Sequence, residues 1–201
     1  MQSVAATPTE GLVKLGTYFE VLYWCWIATE VVLQIVTRTS RKQGDVRDRG
    51  SLILLLPVIF FSVWVAEWYG ATRPPNMPGS GLAYHAVALA LIALGLVVRW
   101  TAVITLGAAF STNVAIHATQ KLRTTGLFRW VRHPSYTGMV IIFVAVGLWQ
   151  QNWVSLATVV IFPIVALLYR IHVEELALHE AFGQQYADYS RTTRRLIPGV
   201  Y

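Results

Sequence analysis

An all-α, polytopic membrane protein is the fold class this sequence predicts, and three observations carry it. Of its 201 residues 55% are hydrophobic and 13% charged, with a positive mean hydropathy, whereas a soluble domain carries about 25% charged residues. The apolar residues gather into runs long enough to cross about 30 Å of hydrocarbon at 1.5 Å per residue. Eight tryptophans and nine tyrosines match the aromatic belts at bilayer surfaces. About five transmembrane helices, with a C-terminal helical hairpin and a cytoplasmic amphipathic segment, consume most of the length and leave no room for a second soluble domain.

The elements follow in order. Residues 12–36 form the first span, interrupted by Glu20 and Glu30; carboxylates are costly in lipid, so Glu20 is expected near a membrane surface and Glu30 is left open. The opening MQSVAATPTEGLVKLG lacks the basic region and cleavage site of a signal peptide, so this run is expected to stay as a helix. Residues 37–51 are a polar loop with Arg38, Arg41, Lys42, Arg47 and Arg49 against Asp45 and Asp48. Residues 52–69 are the second span, with Pro57 tolerated in its first turns. A proline- and glycine-rich loop, 70–80, carries Arg73 as its sole charge. The third span, 81–106, has His85 near one end and Arg99 near the other, where Arg99 is expected to snorkel to the interface.

A polar segment, 107–135, separates this from a short apolar run, 136–149, able to cross only part of a bilayer or a locally thinned one. A turn at 150–152 and a second run, 153–169, complete a hairpin, with Pro163 expected to kink the latter. From Arg170 to Tyr189 apolar and charged residues alternate at helical spacing, with Gly183 as a cap or break. Arg191, Arg194, Arg195 and Pro198 close the chain. Five crossings place the three basic segments, 37–51, 122–133 and the C-terminus, on one side, the cytoplasm, and the N-terminus opposite.

Net charge is +6, which reflects those loops rather than nucleic-acid binding. One cysteine, Cys25, excludes an internal disulfide, a thiolate metal site and a CxxC redox motif. P-loop, GxGxxG and GxSxG motifs are absent. Two polar clusters remain. In Arg132-His133-Pro134-Ser135-Tyr136, proline holds His133 extended and opens a helix whose free N–H groups suit an anion; a plain helix start would look the same. The second cluster is Arg170, His172, Glu174, Glu175 and His179. Arg170 and Glu174 share a helix face and are expected to pair. His172, Glu175 and His179 fall at i, i+3 and i+7, but with no second ligand set no metal is expected. A solvated amphipathic helix at the membrane surface is the commoner use of such a pattern. Together the clusters offer a cation, two carboxylates, imidazole and aromatic faces beside a hairpin. That suits a substrate with a polar head and an apolar tail, met by a charged molecule from the cytoplasm.

GLFRWVRHPSYTG, followed after the hairpin by RIHVEELALHEAFGQQYADYSRTTRRLIPG, resembles the isoprenylcysteine carboxyl methyltransferase family. The shared pattern is RHPxYxG, then EE-x-x-L-x-x-x-FG-x-x-Y-x-x-Y, then a basic stretch and a proline, from about Phe110 onward. Phospholipid methyltransferases and NADPH-dependent sterol reductases are similar in this region. The resemblance implies one integral membrane methyltransferase domain over 1–201, with three N-terminal spans in 1–106 and the cofactor-binding and catalytic part in 107–201. It implies S-adenosylmethionine held by Gln120, Lys121, Leu122, Arg123, Phe128, His133, Pro134, Ser135, Tyr136 and Glu174. Arg170 would face the substrate, and Glu174 and Glu175 would complete the catalytic set. No contact carries over to 111–119, where the match is poor. The partners implied are the bilayer and a prenylcysteine-like acceptor, whose tail the N-terminal spans would hold.

Such chemistry needs alignment more than acid–base help: a carboxylate nucleophile is ionised at neutral pH, and Arg170 would grip it in bidentate fashion. An amine acceptor would need a base, for which His133 or a glutamate is available. The expected activity is therefore methylation of a membrane-embedded substrate, first a prenylated cysteine carboxylate, otherwise a phospholipid or small molecule. An NADPH-dependent sterol or isoprenoid reductase and a non-enzymatic membrane protein built on Glu30 and Glu67 are the competing readings. The expected compartment is the inner membrane of a prokaryote or the endoplasmic reticulum of a eukaryote, with the site facing the cytoplasm.

Overall fold

A computed structural model describes residues 8–37, 45, 46, 48, 50–116 and 121–201. Arg38, Arg41, Lys42, Arg47 and Arg49 of the basic loop, the first seven residues and Gln120 lie outside the described residues. Among the described residues six α-helices follow in order: α1 Pro8–Val36, α2 Ser51–Thr72, α3 Gly81–Leu106, α4 Pro134–Trp149, α5 Trp153–Phe182 and α6 Gln184–Thr192. A two-residue antiparallel ladder joins Asp45–Val46 to Ala115–Ile116. Four stretches, Gly11–Val36, Ser51–Thr72, Gly81–Ala109 and Trp153–Phe182, are long and apolar enough to cross a membrane. α4 is shorter at 16 residues, about 24 Å of helix, as the sequence predicts.

The helices pack around a shared core in which Trp26, Ile92, Ile142, Phe143, Val159 and Leu167 meet. α3 lies along α4, α2 along α5, and α1 leans on α3. The α3–α4 approach is set by two glycines. A Cβ on Gly138 would stand 2.7 Å from the Arg99 backbone nitrogen, and one on Gly95 would stand 2.8 Å from the Gly138 carbonyl oxygen; small residues are what let membrane helices come this close.

That approach overturns the expectation for Arg99. The N-terminal turn of α4 covers it, and it is 4% exposed rather than snorkelling. Its Nη2 donates to Glu30 Oε2 at 2.6 Å, its Nε to Glu30 Oε1, and its Nη1 to Ser135 Oγ at 2.6 Å. Glu30 thereby gains a partner that makes a carboxylate at bilayer depth tolerable. Glu20 is exposed.

α5 also departs from the reading that ended its span at Tyr169. It runs unbroken through Pro163 and on to Phe182. Arg170, Ile171, Val173, Glu175 and Ala177 are buried, so this is no solvated surface helix: Thr112 and Val114, Arg132 and His133, and the C-terminal segment cover it. Gly183, at φ 52, ends α5 and turns the chain into α6, the break the glycine predicts.

The loops gather at two ends. At one, Asn76 N–H and Met77 N–H donate to the Gln151 carbonyl, and Asn152 Nδ2 to the Pro74 carbonyl. At the other end lie the ladder, the stretch 121–133 and the C-terminal segment. Of the three segments expected on one side of the membrane, 122–133 and the C-terminus are thus together, with Asp45, Val46 and Asp48 of the first loop beside them.

Candidate active site

The second end is built from the HPSY stretch upward. Pro134 takes the first helical position, as the sequence predicts, but His133 before it, at φ −123 and ψ 58, is not in the extended conformation expected of a residue preceding proline. The C-terminal segment runs beside it. Arg132 N–H donates to the Arg194 carbonyl at 2.7 Å, His133 N–H to the Arg195 carbonyl at 3.0 Å, and Thr137 Oγ1 to the Leu196 carbonyl at 2.8 Å.

Glu175 fastens the two strands together. Arg132 Nε reaches its Oε1 at 2.9 Å and Arg195 Nε its Oε2 at 2.9 Å, while His133 Nε2 stands 3.4 Å from Oε1. The Arg195 guanidinium is held above its ordinary pKa first by that bond. Arg132 Nη1 also donates to the carbonyls of Ser190 and Thr193. Both oxygens of Glu175 are therefore taken up, and Glu175 is not among the residues lining the adjoining cavity.

Glu174, its neighbour, does face that cavity. Tyr136 Oη donates to Glu174 Oε2 at 2.7 Å and accepts from Arg170 Nε at 2.9 Å. Arg170 and Glu174 thus communicate through Tyr136, with no direct bond of the expected i,i+4 kind. The reason is competition: Arg170 Nη1 donates to Asp48 Oδ1 and Ser51 Oγ, each at 2.9 Å, and its Nη2 donates to the Thr112 carbonyl. The His133 ring stacks on Tyr136 with centroids 5.6 Å apart. Tyr189 Oη donates to the Phe128 carbonyl at 2.6 Å, fixing the turn that carries Phe128; burial pushes the Tyr189 phenol up to about 12.

The cavity has a volume of about 480 Å³, within the range of ligand pockets. Lys121, Leu122, Arg123, Phe128, His133, Pro134, Ser135 and Tyr136 line its loop end. Arg170 and Glu174 line it from α5, and Tyr186 and Tyr189 from α6. It then continues as a groove between α1 and α2, walled by residues from Tyr23 to Ile35 on one side and Leu52 to Glu67 on the other. Trp24, Phe60 and Trp64 at the groove's edge are exposed to the surroundings.

Of the expected site residues, then, Lys121, Leu122, Arg123, Phe128, His133, Pro134, Ser135, Tyr136, Arg170 and Glu174 share one cavity, Glu175 lies behind it, and Gln120 is outside the described residues. His172 and His179 are exposed while Glu175 is buried, so the three do not turn to one point. Asp48, Ser51 and Thr112, the partners of Arg170, had no motif to reveal them. Asp48 had a local signal only, as the residue capping α2, where it accepts from Ser51 Oγ and Leu52 N–H. Two hydroxyls in the cavity wall, of Tyr186 and Thr112, are buried with no partner among the described residues.

Residues 87–180 match the family model of the isoprenylcysteine carboxyl methyltransferase (ICMT) family. The uncharacterized protein YpbQ of Bacillus subtilis is 25% identical over 170 residues, covering 79% of this chain and 98% of that protein. Protein-S-isoprenylcysteine O-methyltransferase B of Arabidopsis thaliana is 34% identical over 117 residues, covering 56% of this chain and 58% of the relative. The solved structure of a eukaryotic intramembrane Ras methyltransferase, ICMT, aligns with a TM-score of 0.58 at 27% identity, over 72% of this chain and 52% of that one. The chain spans between half and three fifths of the length of these two methyltransferases.

Proposed function

We propose, from the match of residues 87–180 to the isoprenylcysteine carboxyl methyltransferase family model, that this chain methylates a membrane-embedded acceptor, first a prenylated cysteine carboxylate, using S-adenosylmethionine. One observation carries the reading: the polar pocket around His133, Tyr136 and Glu174 and the apolar groove between α1 and α2 are a single cavity, with Arg170 lining it.

The pocket residues fit the methyl donor. Glu174 is 30% exposed at its side chain and offers a carboxylate to an ammonium group. Arg123 and Lys121 offer cations to a carboxylate. Phe128 and Tyr189 offer ring faces, and the unpartnered Tyr186 hydroxyl offers a hydrogen bond to a polar ligand. When bound, S-adenosylmethionine supplies an electrophilic methyl group on a sulfonium. The chain's own residues hold and orient. Arg170 has four of its five N–H groups engaged among the described residues. It therefore offers the acceptor carboxylate one N–H and its charge rather than a bidentate fork. Asp48, Ser51 and the Thr112 carbonyl keep that guanidinium fixed, which favours alignment over flexibility. The carboxylate is ionised at neutral pH, so the pocket needs no base for it. Glu175, with Arg132 and Arg195, is a positioning residue that keeps His133 and the C-terminal segment in place. The clustering of basic segments at this end supports a cytoplasmic site.

The pairing of Arg170 with Asp48 favours one second reading. It leaves Glu174 as the exposed charge beside Tyr136, which suits an amine acceptor such as a phospholipid headgroup, with Glu174 taking the proton. Incubating detergent-solubilised protein with labelled methyl donor and a panel of prenylcysteines, phospholipids and small thiols tests both. Label in a base-labile ester of the prenylcysteine is the expected result, and label stable to base in the phospholipid selects the second reading. Failure to bind S-adenosylhomocysteine overturns both.

A further inference from the structure

The structure assigns a second grip on the acceptor carboxylate to the Thr112 hydroxyl; this rests on the reading of Arg170 as the residue that faces that carboxylate. A carboxylate presents two oxygens, and Arg170 cannot serve both. Its Nε is engaged by Tyr136, the two N–H groups of Nη1 by Asp48 and Ser51, and one of those on Nη2 by the Thr112 carbonyl. The N–H left over is therefore the second one on Nη2. An oxygen that accepts it meets Thr112 alongside, because the same nitrogen holds the Thr112 carbonyl.

Thr112 has a donor to give. It is 5% exposed, it lines the same cavity as Arg170, and its Oγ1 is buried with no partner among the described residues. A buried hydroxyl in that state calls for a partner, and a bound ligand supplies one. Oγ1 is four bonds from the carbonyl oxygen of its own residue, so it stands no more than about 5 Å from the atom that Arg170 grips. The stretch that carries it is held in place. Val114 packs on Val173 and Ala177 of α5, one and two turns beyond Arg170. Ala115–Ile116 pair with Asp45–Val46, of the loop that supplies Asp48. One acceptor oxygen thus takes the Nη2 N–H and the other the Thr112 O–H, two fixed donors in place of the fork that Asp48 and Ser51 have occupied. Together they set the plane of the carboxylate, and with it the direction of the lone pair that attacks. The motifs shared with the family place no contact in 111–119, so no pattern in the sequence points to this residue.

The test is calorimetry on purified protein in detergent, saturated with S-adenosylhomocysteine, with two probes: N-acetyl-S-farnesylcysteine, and N-acetyl-S-farnesylcysteamine, the same molecule without the carboxylate. Thr112→Val keeps the backbone carbonyl and the branched shape and loses the hydroxyl. It is expected to weaken binding of the acid about ten- to a hundredfold, the worth of one hydrogen bond to a charged group, and to leave binding of the cysteamine as in wild type. Thr112→Ser returns the hydroxyl and is expected to restore the acid. A merely structural role would move both probes together. The affinity of each variant for S-adenosylhomocysteine is the control for folding; should Thr112→Val fail it, Thr112→Ala, smaller and also without the hydroxyl, takes its place. Equal losses for the two probes, an acid affinity that stays put, a loss confined to S-adenosylhomocysteine, or wild-type protein that binds the acid no better than the cysteamine each overturns the proposal. Protein that methylates no acceptor yet tells acid from cysteamine through Thr112 sinks the assigned reaction and keeps the contact. Methylation of the acid with undiminished affinity in Thr112→Val does the reverse.

Discussion

Removing the Glu30 carboxylate should cost this protein more than removing any other single charge in its spans. Arg99 is 4% exposed, and Glu30→Ala takes away two of its charge-assisted hydrogen bonds, leaving the Ser135 hydroxyl and carbonyl as acceptors. At about 1.5–3 kcal/mol per such bond the loss is about 3–6 kcal/mol, in line with about 3–5 kcal/mol for stranding one partner of a buried pair. That is a large share of a stability of about 5–15 kcal/mol. Arg99→Met should cost less, because the Glu30 side chain is 18% exposed and lines the cavity, where water can reach it. Glu30→Leu with Arg99→Met should recover much of the loss, since two apolar side chains replace two desolvated charges. The assay is reversible denaturant unfolding in detergent for both single variants and the double, together with S-adenosylhomocysteine affinity, because Arg99 holds Ser135. A Glu30→Ala cost below about 1 kcal/mol, or a double variant as unstable as the sum of the singles, would refute the reasoning.

Four further outcomes are expected. Glu174→Gln should weaken S-adenosylhomocysteine binding about ten- to a hundredfold, the worth of one charge-assisted bond, measured by calorimetry. Glu175→Ala should destabilise by about 3 kcal/mol and expose the chain after Phe182 to limited proteolysis, because Arg132 keeps only its carbonyl partners; unchanged cleavage would argue against its positioning role. Gly138→Val should destabilise by at least 1–3 kcal/mol, read as a lower melting temperature, since its Cβ would lie 2.7 Å from the Arg99 backbone nitrogen. The Tyr189 phenol is raised from 10.0 to about 12 by burial. Its protonated form is favoured by folding, so its contribution is whole below pH 10 and lost as pH rises through about 12. Protease sensitivity of the C-terminal segment should climb across that window, and Tyr189→Phe should flatten the rise.

What the sequence made legible was what local rules govern. Run lengths gave the helices, Pro134 gave the start of α4, Gly183 gave the break after α5, and loop charge gave the grouping of ends. Long-range pairing was not legible. Arg99 looked like an end-of-span arginine because nothing in the third span says that Gly95 and Gly138 draw α4 over it. Arg170 and Glu174 looked like an ion pair because i,i+4 spacing is visible in a string and Asp48, 122 residues away, is not. The motif identified Glu174 and Glu175 as paired carboxylates, but adjacent positions on a helix point about 100° apart. One therefore faces the cavity and the other the C-terminal segment. Glu30 and Glu67, on which the non-enzymatic reading is built, line the groove.

α1 and α2 stand on separate supports, one on α3 and the other on α5, with the cavity between them. Either wall can then be rebuilt without unseating its opposite number. On the proposed function, a lineage descending from such an architecture is free to change the greasy cargo it accepts by altering one outer helix at a time, while the chemistry beside His133 is inherited intact. For the same reason, chimeras grafting these outer helices between relatives should keep their methyl donor and exchange their taste in lipids.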